Sequence, residues 1–271
     1  MTTAARTFTE NNAHWYDIKG HPLYEIPKAN GKGMKVPTLA DARKLNLLPS
    51  VTTILGILDK PALTTWKIEQ AVLAVLTTPR LPDEADDAYV FRVLHTEKIQ
   101  DEEGKAARDR GTDIHAAIEA KLTGHPIADD LQDWIGPAVS AIIARGSITA
   151  TEKILVGSGY AGKTDLIQEA PNFWTLWDFK STRKLPEKAS WPEHVLQLAA
   201  YAEAFWEFLV MSEQKPEGTK PIRTANCYIS TVEPGKFVIF DNPEDWQRDY
   251  NEGFAPLMRH WQWSKNYKAE Q

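Results

Sequence analysis

The second half of the chain carries five short apolar runs, at 148–156, 160–168, 173–179, 222–231 and 236–240. They are rich in β-branched and aromatic residues, lie between Gly, Pro and Asn breakers, and predict strands. Between the third and fourth runs the apolar positions change to helical spacing, predicting an amphipathic helix over 192–211. A further helix is predicted over 243–265, and another over 129–144, after which Gly146 releases the chain into the strands. Upstream the pattern is mainly helical. Ser50 is placed to cap a helix through 53–58, Pro61 to open one over 62–76, and Pro79 and Pro82 to end it. Residues 83–122 predict one or two helices interrupted by Gly104 and Gly111, closed by Gly124 with Pro126 beyond. At the N-terminal end, 14–27 reads as two short strands around Lys19-Gly20, and 29–37 as a Gly/Lys loop. There is no internal repeat.

With 42% hydrophobic residues in 271, the chain has enough apolar surface for a substantial core. No apolar run approaches a membrane span, and Met1-Thr-Thr-Ala-Ala-Arg6 lacks the apolar segment of a secretory signal, so a cytoplasmic protein with no membrane partner is expected. The single cysteine, Cys227, excludes an internal disulfide framework, a cysteine-ligated iron–sulfur cluster and a structural zinc site built from cysteines. It reads as a buried strand residue. The net charge of −6 does not advertise nucleic-acid binding. A local basic cluster, Arg183, Lys184 and Lys188, supports two readings, a grip on phosphates and a solvated loop.

Two features carry chemistry. The first, Gly157-Ser-Gly-Tyr-Ala-Gly162-Lys163-Thr164, matches the phosphate-cradling P-loop letter for letter. A P-loop needs a helix to begin at its lysine and a crossover to a parallel strand, yet Pro171 follows after only a few residues. A hairpin turning within 168–173 fits better, and a nucleotide hydrolase ranks last among the functional readings. The second feature is Asp165 followed by Asp178-Phe-Lys180. Asp178 and Lys180 leave the same face of a strand, and a hairpin lets Asp165 join them from the strand before. Two carboxylates and a lysine so placed suit a metal ion held beside a phosphate.

These residues fall within an ordered set of motifs. Arg110-Gly-Thr-Asp-Ile-His115-Ala-Ala-Ile-Glu119, Gly159-Tyr-Ala-Gly-Lys-Thr-Asp165, Asp178-Phe-Lys180 and Gln197-Leu-Ala-Ala-Tyr201 follow one another, preceded by Pro49-Ser-Val-Thr-Thr-Ile-Leu55. Together they resemble the PD-(D/E)xK nuclease superfamily, particularly its RecB-like and phage exonuclease branch. The resemblance implies an α/β fold with a restriction-endonuclease-like core, a mixed sheet flanked by helices, bearing a helical N-terminal elaboration. Residues 1–145 would then hold the N-terminal strands and helices with the His115 motif, and 146–271 the nuclease core, integrated into one catalytic domain.

The same resemblance implies a divalent-metal-dependent DNA exonuclease of phage or bacterial recombination, repair or replication. DNA is its expected partner, with a single-strand-binding or annealing protein beside it. The alternatives are an endonuclease on the same core and, in another class, a non-catalytic DNA-binding module. Mg²⁺ or Mn²⁺ would be held by Asp165, Asp178, the backbone carbonyl of Phe179 and His115, whose nitrogen suits Mn²⁺. Glu119 shares the face of His115 one turn on and is a further candidate ligand or an orienting group. Lys180 would act on the attacking water or the phosphate, and Gln197 and Tyr201 on substrate or on Lys180. Glu152 is a candidate with a stronger structural reading. Trp246, Trp261, Trp263 and Tyr267 read as helix packing in preference to base stacking.

Overall fold

The computed structural model describes residues 15–100, 102–211 and 220–270; Met1–Arg6 and His14, cited above, lie outside the described residues. Strands β1 (Trp15–Tyr16), β2 (Ile26–Pro27), β3 (Met34–Lys35) and β4 (Leu48–Pro49) form two small sheets. The main sheet contains β5 (Ser147–Gly157), β6 (Tyr160–Glu169), β7 (Trp174–Thr182), β8 (Ile222–Ser230) and β9 (Phe237–Asp241), in that spatial order. Its pairs are antiparallel except β7 with β8. A parallel pair needs a crossover. The helix Pro192–Met211 provides it, at the position its amphipathic pattern predicts.

Alternation along β7 sets the chemistry of the two faces. Trp177 and Phe179 join Leu166, Ala225, Cys227 and Ile229 in a core against the helices Glu102–Leu122 and Asp129–Ile143, which contribute Ile114, Ile118, Ile135, Val139 and Ile142. Each buried Leu, Ile, Val or Phe side chain of this set contributes roughly 1.5–3 kcal/mol. Cys227 lies fully buried here, as expected of a strand residue. Gln168 satisfies the polar atoms at the edge of this core. Its Nε2 donates to the carbonyls of Ile142 and Gly146, and its Oε1 accepts from the Trp177 indole at 3.1 Å. Asp178 and Lys180 alternate to the other face.

The P-loop pattern is a strand, a turn and a strand. Gly157 pairs with Tyr160 across Ser158-Gly159, and Gly159 has φ +92°, a conformation glycine adopts without steric cost. Lys163 and Thr164 sit inside β6, so no helix starts where a phosphate loop requires one. The predicted second hairpin is present, with Ala170 donating to the Phe173 carbonyl at 2.9 Å.

The N-terminal strands pair differently from the expectation. β1 pairs with β4, and only a single bridge, Tyr16 to Pro22, marks the turn at Lys19-Gly20. β2 pairs with β3, making the Gly/Lys loop the end of a hairpin. The predicted C-terminal helix is a short helix Trp246–Arg248, a π-helical stretch Asp249–Phe254 and a helix Ala255–Lys265. Trp246, Trp261 and Tyr267 are buried, in line with packing, while Trp263 is exposed.

The described chain divides into two compact units, 58–113 and the remainder, with the second cut inside the helix Glu102–Leu122. In the smaller unit, helices Pro61–Thr77 and Asp86–Gln100 are tied by Tyr89, whose hydroxyl donates to the carbonyls of Val75 and Thr78. Arg92 grips Glu84 through two 2.7 Å hydrogen bonds. The larger unit contains every candidate site residue. No described helix is long and apolar enough to cross a membrane.

Candidate active site

The site centres on the Asp178 carboxylate, which is only 2% exposed. Its Oδ1 accepts from Lys180 Nζ at 2.8 Å and Gln197 Nε2 at 2.9 Å, and its Oδ2 from Asn226 Nδ2 at 3.1 Å. A carboxylate offers about four lone-pair positions, so three donors leave room for one further partner. Lys180 Nζ also donates to Gln197 Oε1 at 3.1 Å, and Gln197 Nε2 donates to the Tyr201 hydroxyl at 3.1 Å. Gln197 and Tyr201 are one helical turn apart on the crossover helix, which is how a single element supplies both.

Asp165 enters from β6, where its Oδ2 accepts from the Phe179 amide at 2.5 Å. The bond ties the two strands where their regular pairing stops, beyond Leu166 and Trp177. The two carboxylates sense each other. Burial pushes Asp178 up to about 6, with Lys180 pulling down and Asp165 pushing up. Asp165 is also raised, first by burial, with Lys180 and the Phe179 amide opposing and Glu119 adding to the rise. His115, half-buried on its helix, is pulled down to about 4, first by burial and then by Lys180. Asp178 acts on it in the opposite direction, so His115 shares the field of both groups. Glu119 is exposed one turn further on. Glu152 is ion-paired with Lys163 and has φ +51°, uncommon for a non-glycine residue.

Gly162 is a packing requirement of the site. A Cβ there would lie 2.4 Å from Cε1 of Tyr201, so the motif glycine lets the tyrosine ring lie against β6. The segment Pro49–Leu55 also belongs to this region. Ser50 caps the helix Val51–Leu55, accepting from the Thr53 amide at 3.0 Å, and a parallel bridge joins Ser50 to Ala161.

Asn226 and Asn242 were not identified from the sequence. Asn242 Nδ2 donates to Asn226 Oδ1 at 3.0 Å and to Thr224 Oγ1 at 3.2 Å, which turns the Asn226 amide so that its NH₂ meets Asp178. The only sequence signal is an amide residue at mid-strand, between Ala225 and Cys227. Its meaning depends on the parallel register that sets Asn226 beside Asp178.

A divalent ion is implied by the fold family, and the donor chemistry fits one. Two raised-pKa carboxylates beside each other favour a bound cation, which relieves their mutual repulsion. Asp165 Oδ1 carries no hydrogen bond among the described residues. No three His, Cys, Asp or Glu side chains among the described residues already close into a metal cage.

The pH dependence follows from these shifts. Without metal, Asp178 titrates higher folded than its ordinary value of 3.8, so its stabilising contribution is complete below that value and lost as pH rises through about 6. Cation binding runs the other way, because the carboxylate must be ionised. Affinity for Mn²⁺ is expected to fall at least about tenfold per pH unit below about 6, with the raised Asp165 adding to the slope. His115, neutral down to about 4, adds no proton release in that range. Calorimetric titration between pH 5 and 8 in buffers of differing ionisation heat checks this. An affinity flat across that range would contradict it.

A mixed sheet flanked by helices, with Asp165, Asp178 and Lys180 meeting on adjacent strands, defines a restriction-endonuclease-like α/β fold. Residues 143–270 match the family model described as the PD-(D/E)XK nuclease superfamily. The matched region includes Asp165, Asp178, Lys180, Gln197, Tyr201 and Asn226, whereas His115 and Glu119 precede it. No curated protein matches the chain. A solved structure titled "Crystal structure of SSO0001" aligns over 74% of this chain and 87% of that one, at 13% identity and a TM-score of 0.30. That likeness is too low to bear on function.

Proposed function

We propose that the protein is a divalent-metal-dependent deoxyribonuclease that degrades linear DNA from an end. The observation that carries the reading is the buried Asp178 carboxylate, held by Lys180, Gln197 and Asn226 and electrostatically paired with Asp165, inside the region that matches the nuclease superfamily. When bound, Mg²⁺ or Mn²⁺ would neutralise phosphoryl charge and lower the pKa of the attacking water. Asp165, Asp178, the Phe179 carbonyl and His115 would hold the ion, and Glu119 would orient His115 or reach the ion through water. Hydrogen bonds from Gln197 and Asn226 fix the Asp178 carboxylate in one orientation, which limits reorganisation during the reaction.

Lys180 is the group we assign to the reacting phosphate and water. Its ammonium is placed by Asp178 Oδ1 and Gln197 Oε1 and keeps a third proton for a further acceptor. Tyr201 supports this arrangement through Gln197. For the DNA path, Arg183, Lys184 and Lys188 are exposed, and no ion pair engages them among the described residues. Such groups can neutralise phosphates even though the net charge is −6. The setting we assign is DNA recombination, repair or replication in a phage or bacterium, in the cytoplasm, with a single-strand-binding or annealing protein as partner.

The choice of exonuclease rests on the order of motifs shared with the phage exonuclease branch. Incubating the protein with Mg²⁺ and equal amounts of linear and covalently closed circular DNA tests it. Linear molecules are expected to shorten progressively while single- and double-stranded circles survive. Circles opened at the linear rate would replace the exonuclease by an endonuclease on the same site.

A further inference from the structure

One wall of the site is aromatic and has no part in the chemistry above. In the parallel register Lys180 of β7 is paired with Tyr228 of β8, so the Tyr228 ring lies on the same face as Lys180, next across the sheet. Tyr228 is fully buried, and its hydroxyl accepts from the Trp191 amide at 3.1 Å and hydrogen-bonds His194 Nδ1 at 2.9 Å. Three rings are thereby locked together. Trp191 meets both His194 and Tyr228 with centroids 5.4 Å apart, and His194 meets Tyr228 at 5.6 Å. His194 is also one turn before Gln197, the residue that touches Lys180.

Trp191 nevertheless stays 38% exposed, where the packed tryptophans Trp177, Trp246 and Trp261 are 0–4% exposed. The indole is held from behind by two rings and open in front. The chain that leads to it from Lys180 carries Arg183, Lys184 and Lys188, with Glu187 the acidic residue among them. An exposed aromatic face reached through a segment of exposed cations offers the chemistry of single-strand binding, in which bases stack on rings and phosphates meet the cations.

Resting on the nuclease reading above, we propose that Trp191, backed by His194 and Tyr228, is a stacking platform for one unpaired base of the DNA strand next to the phosphate that Lys180 contacts. Stacking on a protein ring contributes a factor of roughly five to a hundred in affinity. The platform thus holds a strand in register by a contact that reads no sequence, because every base offers a flat face.

The test is a binding cycle that does not require turnover. Affinities of wild type, Trp191→Ala and Trp191→Phe are measured in EDTA by fluorescence anisotropy with a short labelled single-stranded oligonucleotide. Each is compared with oligonucleotides in which one base at a time is replaced by an abasic residue. Trp191→Ala is expected to weaken binding by roughly five- to hundredfold, and Trp191→Phe by much less. At one position the abasic residue should weaken wild type similarly and add nothing to Trp191→Ala, an outcome that a merely structural Trp191 would not produce. Independent losses at every position, or unchanged binding by Trp191→Ala, would overturn the platform and leave the nuclease assignment intact if the wild type cleaves with metal. Absence of both binding and cleavage would overturn both.

Discussion

Replacing Asp178 by Asn is expected to leave the fold intact and to reduce DNA hydrolysis by roughly three orders of magnitude or more. The amide has nearly the shape of the carboxylate but no charge, so it cannot bind a cation comparably or counter Lys180. The surroundings make this site less forgiving than an exposed ligand. Lys180, Gln197 and Asn226 all donate to the two oxygens of Asp178, and an asparagine NH₂ would face at least one of those donors. Single-turnover cleavage of labelled DNA at saturating Mn²⁺, with circular dichroism for the fold, checks the expectation. A folded Asp178→Asn protein within tenfold of the wild-type rate would contradict the site.

The second large effect is expected at Gly162, where no charge changes. An alanine Cβ would fall 2.4 Å from Cε1 of Tyr201, a ring only 4% exposed and unable to swing into solvent without disrupting its packing. Gly162→Ala should therefore cost about 1–3 kcal/mol of stability. It should also lower activity, because Tyr201 receives Gln197, and Gln197 orients both Lys180 and Asp178. Urea denaturation of Gly162→Ala, Tyr201→Ala and the double variant separates clash from other losses. The glycine substitution should cost much less where the ring has been removed. Additive losses would show that the close approach to Tyr201 is not what requires the glycine.

The parts of this architecture legible in the sequence are those set by local pattern. The five long strands and the crossover helix follow from the spacing of their own apolar residues, and their ends lie within a few residues of the expected positions. Asp178 and Lys180 share a face because alternation in one strand requires it. The P-loop pattern could be set aside because Pro171 left no room for a crossover, and the chain turns back at Ala170 to Phe173. What pattern could not provide was pairing between distant segments. Two-residue strands such as β1 and β4 have no periodicity to read, and exist because Trp15 and Tyr16 meet Pro49 and Leu48. Asn226 gained its role from the β7–β8 register and its orientation from Asn242, sixteen residues further along. Trp191 is similar, since its relation to Lys180 passes through Tyr228 on another strand. The π-helical stretch Asp249–Phe254 had no sequence signal that distinguished it from the helices around it.

Whether this site hydrolyses DNA through a bound divalent ion is tested most directly by metal add-back. Protein stripped with EDTA is mixed with end-labelled linear DNA, and the initial rate of label release is followed as Mg²⁺ or Mn²⁺ is restored. No hydrolysis is expected in chelator, with a saturable return of activity as the ion is added and none for Asp178→Asn at any concentration tested. Cleavage by the wild type that is indifferent to chelation, or a full return of activity in Asp178→Asn, would contradict the assignment.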